Sequence, residues 1–176
     1  MAQTHILNAR VGVPALTTAF TGTTTDGENA PIPLGTYAEG PDNQLYVFVQ
    51  AGEAISTTTK ECFALGIDEN FQALKLTKAL AVAGHKVAFA PQVALADNAF
   101  FWAICRGSNF NIRVAASCAA DITLWTTATA GRLDDTSGAS HVAVFGVVLV
   151  VAASASTSAS NTVREALCVG PLVTEV

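Results

Sequence analysis

The sequence predicts an all-β protein, with a compact β-barrel or β-sandwich core and an extended N-terminal arm. Three observations predict it. Short runs rich in β-branched and aromatic residues recur about every 10–15 residues. Clusters of Gly, Asn, Asp and Ser separate them, as at Gly40-Pro41-Asp42-Asn43, Asp68-Glu69-Asn70 and Asp97-Asn98. No long stretch carries the apolar spacing of an amphipathic helix.

Residues 1–34 read as the arm. Thr17, Thr18, Thr21, Gly22 and Gly27 are followed by Pro31 and Pro33, and proline disfavours both helix and central strand. Its apolar residues Ile6, Leu7, Val11, Val13, Leu16 and Phe20 fit no regular period. Ordering a backbone costs roughly 1–2 kcal/mol per residue, so such an arm is expected to order against something else. The plainer alternative is a leader without a role.

Residues 35–151 read as the β core. Strands are expected at 44–50, 62–67, 71–77, 86–91, 99–105, 109–115, 122–126 and 142–151. Arg106-Gly107-Ser108-Asn109 is read as a turn between two of them. Residues 73–83 suit helix and strand almost equally. Residues 152–162, small and repetitive, read as a Ser/Ala-rich linker. Residues 163–176 read as a C-terminal strand or arm, with the strand at 167–173.

Composition bears on function. Charged residues make up 13% of the 176-residue chain and hydrophobic ones 51%, with mean hydropathy +0.41. An ordinary soluble domain has about 25% charged residues. Surface this poor in charge is expected to be partly covered by partners. The run at 142–153 is shorter than the about 20 residues of a spanning helix and reads as a buried strand. The opening residues lack a basic segment followed by an apolar one, so no secretory signal is expected. Net charge is −5, and the 9 basic residues are scattered, which argues against direct nucleic-acid binding.

Groups able to do chemistry are sparse in the sequence. His5, His85 and His141 have no metal-ligating neighbour at close spacing. Cys62, Cys105, Cys118 and Cys168 form no CxxC pair and read as reduced core thiols, with a disulfide as the alternative. A spatial Cys105–His85 pair is the one nucleophile arrangement weighed. Asp134-Asp135 sits in a turn-rich stretch and reads as a turn-capping pair, with ion binding by that loop as the alternative. No phosphate-binding glycine loop occurs. The expectation is therefore no catalytic residue, no cofactor and no metal.

Residues 84–151 carry a pattern of strands and turns. It runs through Ala96-Asp-Asn-Ala-Phe-Phe-Trp102, Cys105-Arg-Gly107 and Ile112-Arg-Val-Ala-Ala-Ser-Cys-Ala-Ala120. It continues with Leu124-Trp-Thr-Thr-Ala-Thr-Ala-Gly-Arg-Leu-Asp-Asp135 and ends with Val144-Phe-Gly-Val-Val148. The pattern resembles tailed-bacteriophage head decoration proteins, the cement that stabilises capsids. The resemblance implies a structural protein on the virion surface, made in the host cytoplasm. Its partners would be the major capsid protein and other copies of itself, a trimer being one arrangement. Neither nucleic acid nor membrane would be bound. Ile6, Leu7, Val11, Val13, Leu16 and Phe20 are expected to place the arm on a capsid subunit or neighbouring copy. The alternatives are another virion component, such as a shell or tail/fibre subunit, and a ligand- or carbohydrate-binding β-barrel. In that barrel Trp102, Trp125 or Tyr46 would line the pocket.

Overall fold

The computed structural model describes residues 6–8, 19–20, 30–40, 42–56, 62–153 and 162–174. Its strands are β1 (Ile6–Asn8), β2 (Tyr37–Glu39), β3 (Leu45–Ala51), β4 (Ala64–Ile67), β5 (Gln72–Lys75) and β6 (Lys86–Phe89). They continue with β7 (Phe100–Val114), β8 (Leu124–Thr126), β9 (Leu133–Asp134), β10 (Ala143–Leu149) and β11 (Thr162–Thr174). One short helix, α1 (Lys78–Val82), lies between β5 and β6. The expected all-β class holds.

Strands β3, β5, β4, β6 and β7 pair in that order, and a β3–β7 pairing closes them into a five-stranded barrel. On one face of these strands Val47, Val49, Leu65, Ile67, Phe101 and Ala103, among others, form one buried cluster. The opposite face of the same strands is apolar as well. Tyr46, Phe48, Phe89, Phe100, Trp102 and Ile104 share a second buried cluster with Phe110, Ile112, Leu124, Val144 and Leu149. Successive strand residues point to opposite faces, so burial on both faces makes β3 and β7 nearly continuous apolar runs.

Strand β7 serves two sheets. Its first part pairs with β3, from Gln50↔Phe100 to Leu45↔Arg106. Its second part pairs with β11, from Cys168↔Gly107 to Thr162↔Val114. The second sheet runs on through β10 and β8 to β9, which returns to β7 at Val114↔Leu133. The handover falls at Gly107, whose φ is 125°. A Cβ there would lie 2.6 Å from Gln44 Cα. Gln44 fastens this point: its Nε2 donates to the Ser108 carbonyl at 2.6 Å, and its Oε1 accepts from the Tyr46 hydroxyl. The stretch 106–109, expected as a turn between two strands, is thus a kink inside one strand. The same turn chemistry, with Asn109 at φ 61°, serves to bend rather than to reverse the chain.

Residues 73–83 divide between the two expected states. β5 ends at Lys75, and Thr77 opens α1 by accepting the Leu80 amide on its hydroxyl at 3.3 Å. Strands β1 and β2 were not expected, and β11 begins at Thr162 rather than 167. Ala153 is buried and its amide donates to the Cys118 carbonyl at 2.7 Å, so the expected linker is anchored at its start. Its residues 154–161 lie outside the described ones.

Trp102 is fully buried, with its ring centroid 5.0 Å from that of Phe48. Trp102→Ala should cost about 3–5 kcal/mol in urea unfolding. Gly107→Ala should cost more than about 3 kcal/mol, because the new Cβ meets backbone. Gly84→Ala is the control, since its φ is 80° but nothing lies within 4 Å. It should cost only about 1–2 kcal/mol. Equal costs at the two glycines would contradict the role given to the kink.

Candidate assembly surface

Strands β10 and β11 pair antiparallel, with Val147↔Cys168, Val148↔Leu167 and Leu149↔Ala166 in register. Val144, Val147, Leu149, Ala166 and Cys168 face the core and are buried. The other face is also apolar, yet it is uncovered. Phe145 is 41% exposed, Val150 47%, Leu167 40% and Val169 73%. Val148 lies half-buried among them, and Glu165 is exposed at the margin of the strip. The run 142–153, expected as a buried strand, is therefore buried on both faces at Val142, Ala143 and Val144 and is open on one face from Phe145 on.

Val169 stands out for a local reason. Between Phe145↔Leu172 and Val147↔Cys168 the pairing slips, so residues 169–171 oppose Gly146 alone. Gly146 at φ 78° and Gly170 at φ 119° take up the bulge. Beside this knob is a hollow of about 280 Å3 bordered by Leu167, Val169, Asp42, Asn43, Arg106 and Ser108. Arg106 Nε is buried there with no hydrogen-bond partner among the described residues. The Asp42 carboxylate accepts from Asn109 Nδ2 at 3.1 Å.

The arm residues are placed unevenly. Ile6 and Leu7 lie in β1, which pairs parallel with β2 through Ile6↔Tyr37 and Leu7↔Ala38. Phe20 exchanges two backbone hydrogen bonds of 2.8 Å with Phe100. Its ring meets Phe48 edge-on at 6.2 Å, so it packs on this chain's own core. Ala30, Ile32 and Leu34 pack there too. Val11, Val13 and Leu16 lie outside the described residues.

Of the aromatic residues considered for a pocket, Trp102 is sealed in the core and cannot meet a ligand. Tyr46 is 7% exposed and borders a hollow of about 220 Å3. Trp125 does line an open hollow, of about 570 Å3, with Lys78, Gly138 and His141. Lys78 Nζ donates to the Ala139 carbonyl at 3.2 Å across it.

Cys118, Asp134 and Asp135 bring their ligand-type atoms within 4.8 Å of one another. Both carboxylates already hold the turn. Asp135 accepts the Ala119 amide at 2.8 Å, and Asp134 accepts the Asp135 amide at 2.9 Å. Burial, then the hydrogen bond with Asp135, raises the Asp134 pKa. The geometry is that of the expected turn-capping pair. His85 is half-buried and its Cβ side lies against Gly66, while the Cys105 carbonyl receives the Cys168 thiol at 3.5 Å.

All four cysteines are free thiols. Burial pushes Cys62, Cys105 and Cys118 up to about 12 and Cys168 up to about 11. In the unfolded chain they ionise near about 8.5. Above that pH the unfolded state binds fewer protons than the folded one. Their contribution is therefore complete below about pH 8 and is lost as pH climbs toward the folded values. Urea midpoints should fall from pH 8 to 10, and Cys168→Ala should flatten that slope. An unchanged midpoint would contradict the burial of these thiols.

No protein-family model, no curated protein and no solved structure matches this chain.

Proposed function

We propose that this chain is a structural, non-enzymatic virion protein that binds the outside of a phage capsid and stabilises it by bridging capsid subunits. The observation that carries this reading is the uncovered apolar strip on β10 and β11 of a charge-poor body. The resemblance over residues 84–151 adds the capsid as the target. Apolar area is worth about 25 cal/mol per Å2, so a few hundred Å2 per copy gives several kcal/mol before association costs. Repetition over a shell then turns a modest contact into a decisive one.

Within this reading Ile6, Leu7, Val11, Val13 and Leu16 reach the shell, and β1 supports it as the outermost strand of its sheet. Phe20 instead ties the segment to the body. Removing residues 1–18 should therefore leave the melting transition in place and abolish binding to capsids stripped of the protein. Changing Val11, Val13 and Leu16 together to Ser should weaken binding more than tenfold, since each buried aliphatic side chain is worth about 1.5–3 kcal/mol. Co-sedimentation with purified capsids reads both effects. A full-length chain that stays in the supernatant at every concentration would overturn the proposal.

A ligand-binding barrel is the second reading, favoured by Trp125 in its open hollow. Saturable quenching of indole fluorescence by a glycan, lost in Trp125→Phe, would support it over the first.

A further inference from the structure

The apolar strip has a shape and a charge pattern that fit one occupant. Along β11 the outward residues are Glu165, Leu167 and Val169. Glu165 lies at one end. The Val169 knob and the hollow bordered by Arg106 and Asp42 lie toward the other, the Asp42 carboxylate there accepting from Asn109 Nδ2. A two-fold axis through Leu167, normal to the strip, exchanges these ends. It lays Glu165 of one copy over the knob and hollow of the other, where Arg106 Nε has no hydrogen-bond partner among the described residues. The contact then repeats itself symmetrically, as an isologous interface requires.

Area agrees with this. From their fractional exposures, Phe145, Val150, Leu167 and Val169 leave on the order of 350 Å2 of surface per copy. At an apolar share of about 60–65%, an interface built on them would bury roughly 550 Å2 per copy, at the lower limit of specific complexes.

We propose that the outer face of β10 and β11 binds a second copy of this chain about a two-fold axis at Leu167, pairing Glu165 of each copy with Arg106 of the other. This deepens the assembly reading by naming a partner and its face, and it does not require the capsid.

Sedimentation equilibrium of the full chain between about 1 and 100 µM tests it. The expected result is a reversible monomer–dimer equilibrium. Val169→Lys should shift its midpoint at least tenfold upward without moving the thermal transition, since Val169 is 73% exposed and supports no core. Glu165→Arg should weaken the dimer and reverse its dependence on salt. Leu167→Cys, placed on the axis, should cross-link to itself under mild copper oxidation while the wild-type chain does not. A monomer throughout the range overturns the proposal, and so does a dimer indifferent to Val169→Lys. A trimer overturns the two-fold arrangement. Capsid binding by monomeric Val169→Lys would leave the capsid reading standing whatever happens to this one. A dimer that binds no capsid would do the reverse.

Discussion

The fold depends on one strand being buried on both faces along most of its length. β7 forms a wall of the barrel with Phe101 and Ala103 and a wall of the second core with Phe100, Trp102 and Ile104. No other described strand joins both sheets over such a span. For that to work the strand must change partners without reversing, and a positive φ at residue 107 against the Gln44 backbone allows it. Glycine is the residue that takes this conformation without strain and leaves room for the close approach. Gln44 converts the kink into a joint by satisfying the Ser108 carbonyl while it receives the Tyr46 hydroxyl.

The double burial also explains how much was legible in the sequence. Residues 44–50 and 99–105 stand out as strands because their β-branched and aromatic content is high, whichever face is buried. What the residues could not convey is that 106–109 bends a strand. Arg-Gly-Ser-Asn has the composition of a reversing turn, and only the distant Gln44 and β11 decide otherwise. β2 was invisible because three residues establish no period; its pairing comes from neighbours. Arg113 is another local misfit, a cation in a strand, accommodated because its guanidinium lies 4.4 Å over the Phe63 ring.

The surface was harder to read than the core. Residues 142–153 look uniformly apolar, and a sequence alone does not distinguish a strand buried twice from one buried once. In β3 the second face meets another layer of this chain. In β10 and β11 that face is open at Phe145, Val150, Leu167 and Val169, and the low overall charge becomes a local property of one strip. The arm shows the opposite displacement: Phe20, read as a contact for a neighbour, belongs to the aromatic cluster of Phe48, Phe100 and Trp102. The anchoring of the N-terminal segment and the uncovered strip are thus separate features, and an assembly role can draw on each.

The central claim is that the outer strip of β10 and β11 is covered in the working state. Methyl NMR with a soluble nitroxide measures this directly, residue by residue. Val82 is 46% exposed on α1, outside β10 and β11, and serves as the internal reference. The account predicts that at high protein concentration Val169 methyls keep their intensity while those of Val82 are quenched, and that dilution exposes both. Equal quenching of Val169 and Val82 at every concentration would contradict it.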